Sequence, residues 1–187
     1  MSALATVNVD GDSITAREIV SLAQLLLVAG HETTVNLIGN GVLALLHAPD
    51  QLDLLRRQPE LVAPAVDEFL RFDGPVQISQ RVAMEDLDLF GQKVRKGDEI
   101  LLILGAANRD PSAFTEPHRL DVSRDARRHV AFGGGIHHCL GAALARMEAA
   151  IAFEALLDAF PTMELAAPPT RRPTFTLRGL ETLPVAL

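Results

Sequence analysis

The sequence predicts a mainly helical protein with small β-sheets, an α+β fold in a single domain. Two long apolar segments, 15–47 and 140–160, have the length and the density of apolar residues that are typical of buried helices. Between them, residues 76–104 hold short, partly alternating runs separated by glycine turns, which indicates short strands. The 187 residues are 48% hydrophobic and 22% charged, so the chain can form a core and is unlike a disordered protein.

The first long helix is predicted from the signals at its two ends. Asp10–Ser13 is typical of a turn, and Thr15 with Glu18 three residues later forms a capping box. Apolar residues then occur all around the helix, so we expect burial on several sides until Ala48-Pro49 ends it. Its middle, Gly30-His31-Glu32-Thr33-Thr34, is unusual because a glycine, a charge and two β-branched residues all lower helix propensity.

The remaining elements are shorter. Asp50 is expected to cap a helix over 50–57, and a second helix is predicted over about 59–72. Residues 111–138 are rich in Pro, Arg, Asp and Gly and predict a long irregular segment, which inside a compact domain is usually functional. Residues 161–187 contain short β-prone runs and suggest a terminal hairpin.

Charge and composition exclude several functional classes. Lys and Arg number 17 against 24 Asp and Glu, the opposite of the balance in a duplex-binding domain, and Trp and Tyr are absent. We therefore expect no nucleic-acid partner. The sequence opens without the basic segment of a signal peptide, and its longest apolar stretch is too short for a membrane span. A single cysteine, Cys139, excludes an intramolecular disulfide and a four-cysteine zinc site.

The cysteine lies in the most informative segment, Phe132-Gly133-Gly134-Gly135-Ile136-His137-His138-Cys139-Leu140-Gly141. Its three glycines allow the backbone to approach a flat ligand closely. A phosphate loop is disfavoured because no Lys-Ser/Thr pair follows the glycines. Four interpretations stay open on chemistry alone: a zinc site of three consecutive residues, a Cys/His nucleophile, an inert buried cysteine, and axial thiolate ligation of haem.

This segment resembles the haem-binding loop of the cytochrome P450 superfamily. The family order of Phe, two residues, Gly, three residues, Cys, one residue and Gly is filled by Phe132, Gly135, Cys139 and Gly141, and Leu140–Arg146 resembles the soluble bacterial branch. Three further motifs follow in the family's order. They are Ala29-Gly30-His31-Glu32-Thr33-Thr34, similar to the oxygen-activating turn of the central helix; Glu68-Phe69-Leu70-Arg71, similar to the Glu-x-x-Arg pair; and Ala107-Asn108-Arg109-Asp110-Pro111, similar to the turn that enters the meander.

The resemblance implies a haem-thiolate monooxygenase with haem b (iron protoporphyrin IX) as its cofactor. Such an enzyme inserts one oxygen atom from O2 into a small hydrophobic organic substrate, with electrons from a ferredoxin-type donor. Cys139 would be the axial ligand of the haem iron. Glu32 and Thr33 would deliver protons to the reacting oxygen, with a local widening of the helix at Gly30, while Thr34 would only pack.

The same resemblance assigns the residues that bind the rest of the cofactor. Arg81 and His137 match positions that bind the haem propionates, and His129 is a further candidate. The remaining cofactor-binding positions that it implies are Phe132, Gly133, Gly135, Gly141, Ala29 and Gly30.

Two further groups of charged residues follow from the family pattern. Glu68 and Arg71 lie on one helix face, and the resemblance makes them a buried structural network with Arg119 as third member. Arg127 and Arg128, near the thiolate side, are a candidate docking site for an acidic electron donor.

The resemblance also implies that much of the fold is missing. Family members carry long segments ahead of the central helix, so residues 1–187 are expected to be one truncated domain, the carboxyl-terminal half of the fold. Its predicted parts are the central helix at about 15–47, the Glu-x-x-Arg helix at about 59–72, the meander and haem-binding loop at about 111–141, and the last helix at about 140–160.

Two candidate functions therefore stand beside each other. One is the family's monooxygenase chemistry. The other is a split fragment that binds haem weakly or not at all and has no turnover alone, which a partner chain supplying the missing half would complete. We expect a cytoplasmic bacterial location, with no membrane association evident in the sequence, and association of the isolated chain through bare apolar helix faces.

Overall fold

The structure, a computed structural model, describes residues 8–9 and 12–187. Its helices are α1 (Ala16–Leu46), α2 (Pro49–Arg57), α3 (Val62–Asp73), α4 (Leu104–Ala107) and α5 (Ala142–Ala159), with single 3-10 turns at Pro59–Leu61 and Gly135–His137. The strands pair as two-stranded antiparallel ladders: β1 (Asn8–Val9) with β2 (Asp12–Ser13), β3 (Ile78–Val82) with β6 (Glu99–Ile103), β4 (Leu87–Leu89) with β5 (Gln92–Val94), β7 (Glu164–Leu165) with β10 (Val185–Ala186), and β8 (Thr170–Arg171) with β9 (Leu180–Thr182). This mixture of helices and small sheets confirms the predicted fold class.

Helix α1 starts at the capping box that the sequence predicts. The backbone N–H of Glu18 donates to the Thr15 hydroxyl over 3.3 Å, and the Glu18 carboxylate accepts from the backbone N–H of Thr15 over 2.8 Å. The helix is α-helical at every residue to Leu46, so the widening expected at Gly30 does not occur in it. The turn expected at Asp10–Ser13 lies partly outside the described residues.

The carboxyl-terminal part of α1 is buried against α3 and α5. Gly41 lies where these helices meet, because a Cβ built on it would lie 2.5 Å from the Phe153 ring and 3.3 Å from the Phe69 ring. The two aromatic rings pack with their centroids 4.6 Å apart, and both residues are fully buried. This junction is part of the hydrophobic core, to which both rings belong.

The amino-terminal part of α1 is exposed despite its apolar composition. Leu27 is 72% exposed, and the other exposed apolar residues between positions 20 and 35 are Val20, Leu25, Leu26, Val28 and Val35. On α5 the exposed apolar residues are Leu144, Met147 and Ile151. Helix α5 therefore packs on one side only, whereas residues 24–31 of α1 are exposed all around the helix.

Shorter elements differ in detail from the sequence prediction. Helix α2 begins at Pro49, which suits the first helical position because that N–H needs no partner, and Asp50 does not cap it. The Asp50 carboxylate instead accepts from Gln51 Nε2 over 2.8 Å. The terminal segment forms two nested ladders, β7–β10 outside and β8–β9 inside, where the sequence suggests one hairpin.

Candidate functional site

An open cavity of about 660 Å³ separates the exposed part of α1 from the segment that carries Cys139. The lining from α1 includes Ala29, Gly30 and Thr33, and β3 contributes Arg81. The cysteine segment contributes Phe132, Gly133, His137, Cys139 and Gly141. Nine of the predicted site residues thus face one space, although they come from distant parts of the sequence.

The cysteine segment is an open loop ahead of α5. Gly133 and Gly135 have φ of +69° and +62°, the left-handed region that favours glycine. A Cβ built on Gly134 or Gly135 would have no neighbour within 4 Å, so the loop leaves open space beside its backbone. Cys139 is exposed, and its backbone N–H donates to the Phe132 carbonyl over 2.9 Å. This hydrogen bond closes the loop and fixes the cysteine backbone.

Two hydroxyl groups of α1 border the cavity, each bonded to its own helix. The Thr33 hydroxyl donates to the Ala29 carbonyl over 2.6 Å, and the Thr34 hydroxyl donates to the Gly30 carbonyl over 3.0 Å. A Cβ on Gly30 would meet nothing within 4 Å, so the helix borders open space at this position, one turn before the threonines.

Glu32 does not line the cavity. Its Oε1 lies 3.1 Å from Arg172 Nη1, and both side chains are partly exposed. The partner residue is 140 positions away in sequence, just after β8, so no local pattern indicates this ion pair.

The basic residues expected near propionates divide into two groups. Arg81 and His137 line the cavity, and the Arg81 Nη1 also donates to the Ser79 hydroxyl over 2.7 Å. His129 differs from the expectation, because it is buried and both ring nitrogens are occupied. Its Nε2 lies 3.0 Å from Asp67 Oδ1, and its Nδ1 accepts from the Ala131 N–H over 3.0 Å, which leaves no nitrogen for a propionate.

Glu68 and Arg71 form a buried, bidentate ion pair on α3. Arg71 Nε lies 2.6 Å from Glu68 Oε2, Arg71 Nη2 lies 2.8 Å from Oε1, and both side chains are fully buried. Arg71 also donates to the carbonyls of Asn108, Pro117 and Arg119. The pair therefore fixes the irregular segment after α4 to α3.

The third charged member of this network is not the side chain that the sequence suggests. Arg119 contributes only its carbonyl, since its guanidinium is 60% exposed and lies 3.7 Å from Glu116. Arg124 takes that place, with its Nε 3.3 Å from Glu68 Oε1 and only 14% of its side chain exposed. The two arginines lie five residues apart in an irregular segment, where sequence spacing does not indicate which side chain points inward.

Arg127 and Arg128, the predicted docking residues, differ in their surroundings. Arg127 forms two hydrogen bonds to the Asp125 carboxylate, at 2.8 and 2.7 Å, and these lower the pKa of Asp125 to about 2. Its charge is therefore neutralised locally. Arg128 is exposed and is the member of the pair that remains a candidate for an acidic partner.

The cavity fits haem by the chemistry of its lining. It offers one exposed thiol, apolar walls from α1 and α5, glycine backbone with no side chain to displace, and two basic residues for carboxylates. A zinc site of His137, His138 and Cys139 is not supported, because no three His, Cys, Asp or Glu residues converge on a metal position in the described part of the chain.

Comparison with known proteins agrees with this geometry. The sequence profile described as Cytochrome P450 matches residues 2–182. The chain is 51% identical to the biotin biosynthesis cytochrome P450 of Bacillus subtilis over 175 residues, which are 93% of this chain and 44% of that relative. It is 49% identical over 190 residues to a vitamin D(3) 25-hydroxylase of Pseudonocardia autotrophica, covering all of this chain and 47% of the relative.

Solved structures show the same similarity. The Bacillus subtilis bacillaene polyketide synthase cytochrome P450 PksS superposes with a TM-score of 0.95 and 46% identity, over 100% of this chain and 49% of that one. P450BioI, crystallised with an acyl carrier protein carrying hexadec-9Z-enoic acid, superposes with a TM-score of 0.91, over 94% and 46% of the two chains. The chain spans about half the length of the relatives that it matches. No helix among the described residues combines the length and apolar character needed to cross a membrane.

Proposed function

This chain belongs to the cytochrome P450 family, and on that premise we propose that it carries the haem-thiolate part of a monooxygenase site. The proposed reaction inserts one oxygen atom from O2 into a small hydrophobic organic substrate. The proposed electron source is a ferredoxin-type donor, and the proposed location is the bacterial cytoplasm. The observation that carries this proposal is the single cavity that Cys139 and the Gly30–Thr33 turn of α1 share.

Cys139 is the residue that would hold the haem iron through its thiolate. Haem b, when bound, supplies the iron centre at which O2 is activated, and a cysteine thiolate donates electron density that favours O–O cleavage. The glycines before Cys139 and the Phe132 carbonyl that accepts its N–H hold the thiol at the cavity surface. Phe132, Gly133, Gly135 and Gly141 are the proposed cofactor contacts of the loop.

Thr33 and Glu32 are the proposed proton carriers. The Thr33 hydroxyl is at the cavity and exchanges its bond to the Ala29 carbonyl for a bond to a water or substrate oxygen by rotation about χ1. Glu32 is paired with Arg172 outside the cavity, so its carboxylate takes part only when that ion pair opens. Ala29 and Gly30 line the same cavity, and Gly30 has open space where a Cβ would lie.

The basic groups have separate roles in this proposal. Arg81 and His137 bind the propionates, since a guanidinium and a ring N–H suit carboxylate acceptors. Glu68 and Arg71, with the Arg119 carbonyl, are structural and fix the segment that leads to the cysteine loop. Arg128 is proposed to contact the electron donor.

A second candidate, a fragment without turnover of its own, is favoured by a specific observation. The apolar part of α1 that borders the cavity is exposed, and the chain spans about half of its relatives' length. We propose that the part of the P450 fold outside these 187 residues covers this face and completes the cavity wall, within one polypeptide or as a partner chain.

The test is expression with haem supplied, followed by reduction and addition of carbon monoxide. We expect the Soret band of a thiolate-ligated carbonyl complex from the wild-type chain and none from Cys139→Ser. Thr33→Ala is the matched control, because it changes the same cavity without touching the ligand and retains the band. No haem uptake by the wild-type chain alone, with uptake once the complementary half is co-expressed, would favour the fragment. Failure in both conditions would contradict haem binding by this cavity.

A further inference from the structure

Asp67, the residue before Glu68 on α3, accepts two hydrogen bonds on one carboxylate oxygen. Its Oδ1 lies 3.0 Å from His129 Nε2 and 2.7 Å from Arg146 Nε. The side chain of Asp67 is 12% exposed and that of His129 only 1%. One buried oxygen therefore connects three elements: α3, the end of the irregular segment, and α5.

The hydrogen-bond pattern assigns the proton on His129. The Ala131 N–H donates to Nδ1, so Nδ1 is an acceptor and Nε2 carries the hydrogen that Asp67 accepts. The ring thus connects the Asp67 carboxylate directly to the backbone just before Phe132.

Arg146 reaches the same segment by a different contact. Its guanidinium carbon lies 4.6 Å from the centroid of the Phe132 ring. The centroid of the His129 ring lies 5.6 Å from the same Phe132 centroid. Both partners of Asp67 therefore hold Phe132. The Phe132 carbonyl in turn accepts the Cys139 N–H over 2.9 Å, which completes a continuous path of contacts from Asp67 to the cysteine backbone.

The neighbouring carboxylate, that of Glu68, contacts a different segment. Glu68 accepts from Arg71, from Arg124 and from the backbone N–H of Asp121, all of which belong to α3 or to the segment before residue 125. The contacts of Asp67 all lie beyond that point. Glu68 therefore contacts the meander, whereas Asp67 contacts the residues on either side of the cysteine loop.

We propose that Asp67 is the positioning residue of the cysteine loop, acting through His129 and Arg146 to fix the backbone of Cys139. In the haem-bound protein, Asp67 therefore maintains thiolate ligation, and this second statement rests on the proposed function. Loss of the Asp67 charge should release the loop while leaving α1 and the core intact.

The first experiment needs no haem. Amide hydrogen exchange is measured in the wild-type chain and in Asp67→Asn, which keeps the shape of the side chain and removes its charge. We expect exchange at Ala131 and Cys139 to accelerate by about ten- to a hundredfold, the range for a lost hydrogen bond to a charged group. Exchange at Leu43, in the buried part of α1, should accelerate by a smaller factor, because it follows only the loss of global stability. Asp53→Asn, an exposed carboxylate on α2, is the matched control and should change neither.

Two single-partner variants keep the test decisive if Asp67→Asn does not fold. Arg146→Leu removes the contact to Phe132, and His129→Gln removes the ring that joins Asp67 to Ala131. Each should accelerate exchange at Cys139 by less than Asp67→Asn does. Unchanged exchange at Cys139 in all the variants that fold would overturn the proposal, as would equal acceleration at Leu43.

The second experiment measures ligation by Cys139 spectroscopically. In the reduced carbonyl complex of the haem-loaded protein, or of its complex with the complementary half, Asp67→Asn should lower the ratio of thiolate-ligated to other bands at equal haem content. Asp53→Asn should leave the ratio unchanged. If the wild type binds no haem either alone or with the complementary half, the proposed function fails while the exchange experiment still decides whether Asp67 positions the loop. An unchanged ratio in Asp67→Asn would overturn the ligation part of the proposal.

Discussion

At the scale of single residues, two consecutive carboxylates on α3 hold two different segments. Glu68 points to Arg71 and Arg124, and Asp67 points to His129 and Arg146. Neighbouring residues on a helix project about 100° apart, so one turn of α3 faces both the meander and the cysteine loop. The chain of contacts that ends at the Cys139 backbone therefore begins on a helix whose Asp67 and Glu68 side chains do not line the cavity.

The Glu68–Arg71 pair predicts a large and asymmetric effect of mutation. Arg71→Leu leaves the Glu68 carboxylate buried without its bidentate partner, which typically costs about 3–5 kcal/mol in the free energy of unfolding. Arg119→Ala is the matched control, because its guanidinium is at the surface and such changes stay within about 0.5 kcal/mol. Urea unfolding measures both. Equal losses of stability in the two variants would show that the Arg119 side chain belongs to the buried network, as the sequence suggests.

Asp67 predicts a dependence of stability on acid. Burial raises the pKa of Asp67, but hydrogen bonds from His129 and Arg146 lower it by more, so the folded-state pKa lies below its usual value of 3.8. The unfolded chain therefore binds the proton first, and the stabilisation by Asp67 is complete above pH 3.8 and lost as the pH falls through the folded-state pKa. The stability advantage of wild type over Asp67→Asn should shrink in that window. A pH-independent difference would contradict it.

At the scale of elements, the junction of α1, α3 and α5 depends on the absence of a side chain. Gly41→Ala puts a Cβ 2.5 Å from the Phe153 ring, and overpacking of this kind costs typically about 1–3 kcal/mol. The glycine two residues earlier is the matched control, because a Cβ on Gly39 has its nearest neighbour at 3.8 Å. Gly39→Ala should stabilise by about 0.5–1 kcal/mol through helix propensity. Thermal unfolding of both variants measures this contrast, and loss of stability in both would contradict it.

Elements that depend on local chemistry could be predicted, and contacts between distant segments could not. The capping box of α1 and the apolar run of α5 are readable because their signals lie within a few residues. The ion pair between Glu32 and Arg172 joins residues 140 apart, and the inward turn of Arg124 is set by an irregular backbone. The motif residues around Cys139 could be named, but the hydrogen bond between buried His129 and Asp67 of α3 joins residues 62 apart.

At the scale of the whole molecule, apolar surface is distributed unevenly. The core lies among the carboxyl-terminal part of α1, α3 and α5, whereas the part of α1 beside the cavity exposes a continuous group of leucines and valines. A helix that is apolar on several faces is stable in water only when each face is covered. The cavity shares that exposed wall, so a segment that covered this part of the helix would also close the cavity.

This unevenness predicts that the chain associates through α1 when it is studied alone. We expect sedimentation of the wild-type chain to show oligomers at micromolar concentration, because exposed Leu25, Val28 and Val35 lie on one face of α1 and offer a contiguous apolar contact. Replacing these three residues with glutamine should shift the distribution towards monomer without loss of helical circular dichroism, since none of them contributes to the core. The control replaces Met84, Leu89 and Phe90 with glutamine, which removes as many exposed apolar side chains elsewhere and should leave association unchanged. A sharp wild-type monomer peak, or equal effects of the two triple variants, would show that this helix face does not drive association.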